Sequence, residues 1–91
     1  MLDIQFHKSF KKDYKLMQKR GYDMALLLEV IDILRHGFPL PSKNRDHALV
    51  GGEYKGCREC HIQPDWLLIY SVDDEELELY LFRTGTHSDL Y

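Results

Sequence analysis

The chain has 91 residues, 44% of them hydrophobic and 30% charged, which suits one domain spanning residues 1–91 around one modest core and argues against disorder. No apolar run approaches a bilayer span, and the opening Met1-Leu2-Asp3-Ile4-Gln5-Phe6 has neither the basic nor the apolar region of a signal peptide, so a cytoplasmic protein with no membrane partner is expected. The net charge of −3 argues against a nucleic-acid binder until its distribution is seen: residues 1–58 hold 11 Lys/Arg against 7 Asp/Glu, and residues 59–91 hold 1 against 8, and local potential outweighs the total.

Leu2 to Phe6 alternates as a first strand does. From about His7 to Arg20 the period becomes helical, with Phe10, Tyr14 and Met17 on one face. On the opposite face Lys8, Lys12, Lys15 and Lys19 fall within about 60° of one another, and Lys11 and Arg20 widen the stripe. Such a stripe is either a solvated helix back or a track for phosphates. A second helix runs from Tyr22 or Asp23 to His36, with Met24, Leu27, Leu28, Val30, Ile31 and Leu34 as a wide apolar face and Gly37 as its C-cap. Leu26 and Ile33 extend that face, which predicts burial on more than one side. Little more than Gly21 separates the helices, so they form an antiparallel hairpin.

After Pro39-Leu40-Pro41 come strands: a short one at His47 to Val50, then Tyr54 to Ile62, Trp66 to Val72 and Leu77 to Phe82. Alternation places Cys57, Glu59 and His61 on one side of the second of these, with Arg58, Cys60 and Ile62 on the other. Cys57 and Cys60 therefore point to opposite faces and read as two buried thiols, not a redox pair or half a zinc site. Trp66 to Val72 is apolar on both faces, as a central strand is. The order β-α-α-β-β-β predicts an α+β fold: a helical hairpin on one face of a small, mostly antiparallel sheet.

The last nine residues concentrate the chemistry. Arg83, His87 and Tyr91 offer a guanidinium, an imidazole and an aromatic face, groups that suit a phosphodiester and its bases better than a core. Further candidates are Asp46 and His47 at a loop–strand junction, and His61 and Asp65 flanking the turn Ile62-Gln63-Pro64, which brings the last two near each other. His7 and His36 read as structural or exposed helix residues. Metal-free cleavage of a phosphodiester needs a base, an acid and a cation for the phosphorane charge; histidine suits the first two roles and Arg83 the third. These side chains could also bind metal, but the spacings match no H-E-x-x-H or His-x-His pattern, so metal is the third and weakest reading and neither a metal nor another cofactor is expected.

Asp46-His47-Ala48-Leu49, the run from Gly56 to Tyr70 with its H-x-x-P-D-W core, and Arg83-Thr84-Gly85-Thr86-His87-Ser88-Asp89-Leu90 together resemble the YafQ toxins of bacterial type II toxin–antitoxin systems, within the RelE/ParE superfamily. Lys15 to Arg20 and Pro39-Leu40-Pro41 also fit, so the resemblance covers nearly the whole chain. It implies a RelE-like fold and a ribosome-dependent, metal-independent mRNA endoribonuclease in which the 2′-hydroxyl attacks the adjacent phosphate. The implied catalytic set is His47, His61, Asp65 and His87 with Arg83 on phosphate, His87 as general acid, and Asp65 or His61 as base. Trp66 falls in the family's site region and equally suits a core. The implied partners are the ribosome and its mRNA, a DinJ/RelB-like antitoxin, and operator DNA through the antitoxin complex alone. The stripe Lys8, Lys11, Lys12, Lys15 and Lys19 then becomes the surface facing ribosomal RNA.

Two features depart from the family's pattern. Members commonly end in Phe where this chain has Tyr91, which would stack on a base or orient His87. The sequence pI near 5.9 is low for the superfamily, so ribosome binding weaker and more salt-sensitive than a basic relative's is expected. The alternative reading is a RelE-fold binding protein without catalysis, acting through antitoxin and DNA complexes; the joint presence of His47, His61 and His87 favours the nuclease.

Overall fold

The computed structural model describes residues 1–91. Strand β1 (Asp3–Phe6) leads into helices α1 (Lys8–Lys19) and α2 (Met24–Arg35). A short 3-10 turn at Ser42–Asn44 precedes β2 (His47–Ala48), β3 (Arg58–Gln63), β4 (Trp66–Asp73), β5 (Glu78–Gly85) and a terminal turn of helix, α3 (His87–Leu90). The five strands form one sheet in the order β1-β5-β4-β3-β2, with β1 parallel to β5 and every other pair antiparallel.

Local chemistry sets the helix ends. The Asp23 carboxylate accepts from the amide of Ala25 at 3.1 Å and starts α2. Gly37, at φ 77°, ends it: the amides of Gly37 and Phe38 return to the carbonyls of Leu34 and Ile33, satisfying acceptors that the helix leaves open. Both helices cover the same sheet face. Phe10 and Met17 of α1 and Leu27, Val30, Ile31 and Leu34 of α2 pack with Cys60, Trp66, Leu68, Tyr70, Leu79 and Leu81. The outer side of α2 is less covered than its sequence predicts: Leu26 and Ile33 are half-buried and Leu28 is 51% exposed.

The opposite face carries a smaller cluster, Leu67, Ile69 and Leu90, flanked by Leu49, Tyr54, Cys57 and Phe82. Here α3 and the loop between β2 and β3 lie, and here the candidate site forms. Several boundaries differ from the sequence reading, and the strand expected at His47 to Val50 stops at Ala48. The strand expected from Tyr54 starts at Arg58, because Glu53–Gly56 turn. The strand expected to end at Phe82 continues to Gly85. The tail, given no element in the sequence, is helical, capped by a reciprocal pair in which Thr86 Oγ accepts from the Asp89 amide and the Asp89 carboxylate accepts from the Thr86 amide. The sheet thus holds four late strands, one of them the two-residue β2, and the chain closes on a third helix.

One irregularity positions the site. Ile69 pairs with Arg83, yet the next residue, Tyr70, pairs with Leu81, so Phe82 is an extra residue in β5. Leu79 and Leu81 point into the helix-side core. Strict alternation would send Arg83 there too; the bulge shifts it by one and places it on the face of its partner Ile69.

Candidate active site

Three imidazoles converge on the α3 side of the sheet. His47 and Glu59 are cross-strand partners on β2 and β3, and His61 lies two residues beyond Glu59 on the same face. The rings of His47 and His61 are 6.4 Å apart, and those of His61 and His87 5.9 Å apart, between centroids. Glu59 sits beneath them with its side chain only 8% exposed, and Oε1 lies 3.4 Å from His47 Nε2 and 3.9 Å from His61 Nε2.

Backbone carbonyls assign the ring protons. His47 Nδ1 lies 2.8 Å from the carbonyl of Arg45, and His61 Nδ1 lies 3.2 Å from that of Pro64. A carbonyl only accepts, so both Nδ1 atoms carry hydrogen, and both Nε2 atoms are turned toward Glu59. The Asn44 side chain donates to the carbonyl of His61 at 2.8 Å and pins that strand to the 3-10 turn.

Asp65 is not where the turn alone would put it. Its Oδ1 takes the His87 amide at 2.9 Å and lies 2.5 Å from His87 Nδ1. The partner of Asp65 is therefore His87, not His61, because β4 and β5 pair Leu67 with Gly85 and bring the two chain segments together just beyond. These contacts, the His87 amide first, hold the Asp65 carboxyl below its ordinary range. With Nδ1 turned to a carboxylate, His87 Nε2 faces outward on a side chain that is 53% exposed.

Asp89 secures α3 to the rest of the fold. Arg20, the C-cap of α1, donates to both of its oxygens at 2.7 and 3.1 Å. Gly85 leaves room for this contact, since a methyl group on it would meet Asp89 Cβ and Oδ2 at 3.0 Å and the Asp89 side chain would have to shift. The Arg20 bonds, then the Thr86 amide, hold the Asp89 carboxyl down from 3.8 to about 2. A carboxyl depressed in the fold stabilises it above the unfolded value and loses that contribution as pH falls through the folded one. Docking of α3 should weaken between about pH 4 and about pH 2. Hydrogen exchange of the amides of residues 86–91 over that range checks it, and Asp89→Asn should show fast exchange already at pH 6.

Tyr91 meets Glu59, a contact the sequence did not suggest. Its hydroxyl donates to Glu59 Oε2 at 2.5 Å, while the ring stays exposed and stands edge-on to Tyr54 at 5.9 Å. Its side chain thus orients Glu59, and only its backbone amide touches His87, at the carbonyl. Burial, then the Glu59 carboxylate, pushes the phenol above its ordinary range. Tyr91→Phe should lower stability by about 1–2 kcal/mol, because a buried carboxylate loses a donor. An unchanged urea midpoint would show that the hydroxyl contributes nothing.

Arg83 joins this cluster from the side. Its Nη1 donates to Tyr54 Oη at 2.8 Å, and Tyr54 abuts Tyr91. Its Nε and Nη2 donate to the two oxygens of Asp13 at 2.6 and 3.2 Å. Arg83 also opens into a cleft of about 280 Å³ lined by His7, Ser9, Tyr54 and Phe82 among others. Asp46, a sequence candidate, is engaged elsewhere: it bonds the Tyr70 hydroxyl and pairs with Arg58 at 3.1 Å. Trp66 is fully buried among the helix-side residues, on the other side of the sheet. Lys8, Lys11, Lys12, Lys15 and Lys19 are all exposed along α1. No three His, Cys, Asp or Glu side chains are grouped as a metal site requires; Cys60 is buried, its thiol pushed up to about 12 by burial, and Cys57 is half-buried in the other cluster.

Known proteins share this arrangement of elements. The model of the YafQ family, bacterial toxins of type II toxin–antitoxin systems, matches residues 2–91. The mRNA interferase toxin YafQ of Escherichia coli K12 is 42% identical over 90 residues, covering 98% of this chain and 95% of that protein. A metal-bound toxin from Helicobacter pylori is 44% identical and superposes over the full length of both chains with a TM-score of 0.91. YafQ in the E. coli DinJ–YafQ complex is 41% identical, with a TM-score of 0.88 over 100% of this chain and 99% of that one. No helix is long and apolar enough to cross a membrane. By sequence along its length and by fold, the chain belongs to the YafQ family of type II toxin–antitoxin toxins.

Proposed function

We propose that the chain is a ribosome-dependent mRNA endoribonuclease that works without a metal ion and is held inactive by a DinJ/RelB-like antitoxin, reaching operator DNA only inside that complex. The observation that carries the reading is the pairing of two differently supported imidazoles, His61 against buried Glu59 and His87 against Asp65, with ring centroids 5.9 Å apart. The name and partner of the E. coli relatives support the substrate and the antitoxin.

In this reading His61 Nε2, which lies 3.9 Å from Glu59 Oε1 and is not bonded to it, takes the proton of the 2′-hydroxyl, with Glu59 and His47 beside it. The 2′-oxygen bonds to phosphorus, the bond from phosphorus to the 5′-oxygen breaks, and His87 Nε2 delivers a proton to that oxygen. Arg83 stabilises the charge on the non-bridging oxygens. The products are a 2′,3′-cyclic phosphate and a 5′-hydroxyl. Asp65 is an orienting group and not the base, since its carboxylate already holds His87 Nδ1 and the His87 amide. The exposed lysines of α1 face ribosomal RNA, and the exposed Tyr91 ring is placed to stack on a base.

Induced expression of wild type in a bacterium, with growth and mRNA ends followed, tests the proposal. Growth arrest with cuts that require translating ribosomes is expected; growth without cleavage would favour a binding protein that has lost catalysis. The Helicobacter pylori relative binds metal, so purified ribosomes should also be assayed with a transition-metal chelator at constant magnesium. Undiminished cleavage is expected, and its loss would contradict the metal-free mechanism.

A further inference from the structure

We propose that Asp13 is a positioning residue for the cleavage reaction, gripping one edge of the Arg83 guanidinium so that its opposite end is presented to the scissile phosphate. The inference rests on the assignment of Arg83 to phosphate made above and adds a residue from α1 to the machinery.

The geometry is specific. Asp13 takes the Nε–Nη2 edge of Arg83 at 2.6 and 3.2 Å, and Tyr54 takes one hydrogen of Nη1 at 2.8 Å. A guanidinium has five N–H donors. Two therefore stay free, one on each terminal nitrogen, and are available to phosphate oxygens. Asp13 also accepts from the amide of Thr84 at 3.1 Å. That amide lies on β5 beyond Leu81, where β1 no longer pairs, so one carboxylate both caps a bare strand edge and fixes the arginine next to it. Its side chain is only 12% exposed, and Arg83 is 25% exposed. A free arginine samples many rotamers; this one is clamped on three of its five donors.

A carboxylate beside Arg83 also cancels part of its charge. Ground-state attraction for a singly charged phosphodiester is thereby weakened, while the more highly charged phosphorane gains from donors already in place. The effect of Asp13 should fall on the rate of the bound complex more than on its formation.

Single-turnover cleavage on programmed ribosomes, at rising toxin concentration, separates the two. Asp13→Ala should lower the saturating rate about ten-fold with little change in half-saturation, and Arg83→Ala should lower it further. The double variant should be no slower than Arg83→Ala alone. Asp13→Asn, which keeps an acceptor for the Thr84 amide, should melt near wild type and still be slowed. An equal fold-loss from Asp13→Ala in the Arg83→Ala background, or a full rate in Asp13→Asn, would overturn the positioning role. Arg83→Ala cleaving at the wild-type rate would instead overturn the phosphate assignment itself, and this role with it.

Discussion

His87→Ala should slow mRNA cleavage by about 10²–10⁴-fold, the range in which a general acid contributes, and should leave the fold standing. The expectation follows from the unequal way the site's histidines are held. His47 and His61 hand their Nδ1 hydrogens to backbone carbonyls and set Nε2 near a carboxylate that is 8% exposed. His87 hands Nδ1 to the side chain of Asp65 and turns Nε2 outward on the first residue of α3. An outward Nε2 is the atom that can meet a leaving oxygen. The ring itself carries little packing: α3 is docked by Leu90, Arg20–Asp89 and the Thr86 cap. Circular dichroism and a melt within a few degrees of wild type should accompany the lost activity. Asp65→Asn should lose part of the same rate, because an amide holds the ring less firmly than a carboxylate does.

Trp66→Ala costs about 3–5 kcal/mol of stability, a large share of what a domain of this size has. Trp66 is wholly buried, its Nε1 donates to Thr84 Oγ at 2.9 Å, and Tyr22 meets it edge-on at 5.0 Å. The Thr84 hydroxyl passes the chain on to the carbonyl of Leu67 at 2.8 Å, so the truncation leaves a cavity and takes the donor from a buried hydroxyl oxygen. Activity should be lost only in proportion to the unfolded fraction. Trp66→Phe separates the two roles of a tryptophan beside a catalytic motif: it should lower the denaturation midpoint while folded protein still cleaves. Slowed cleavage by fully folded Trp66→Phe would give the indole a part in the chemistry that its position behind the sheet does not support.

Much of this was legible in the residues. The apolar period of Phe10, Tyr14 and Met17, and of Leu27 to Leu34, located both helices to within a residue or two, since it reports the buried face directly. Alternation likewise put Glu59 and His61 on one face and Cys60 on the other, as they stand. What escaped depends on pairing between distant segments. Asp13 lies among lysines on an amphipathic helix and reads as solvated; its partner is 70 residues away. Arg83 faces the site because of a bulge at Phe82, which no alternation in β5 announces. Asp65 was placed beside His61 by the local turn, and the β4–β5 register carried it to His87. The short helix α3 did leave a signal, Thr86 and Asp89 three residues apart as a cap requires, but four residues give no hydrophobic period to support it.

The division of labour between His87 and Arg83 can be tested at the leaving group itself. A substrate whose 5′-bridging oxygen is replaced by sulfur departs as a thiolate and needs no proton in the transition state. On ribosomes carrying this substrate, His87→Ala should cleave at close to the wild-type rate, while Arg83→Ala stays slow because the phosphorane charge is still unanswered. If sulfur leaves the His87→Ala defect at full size, His87 is not the acid.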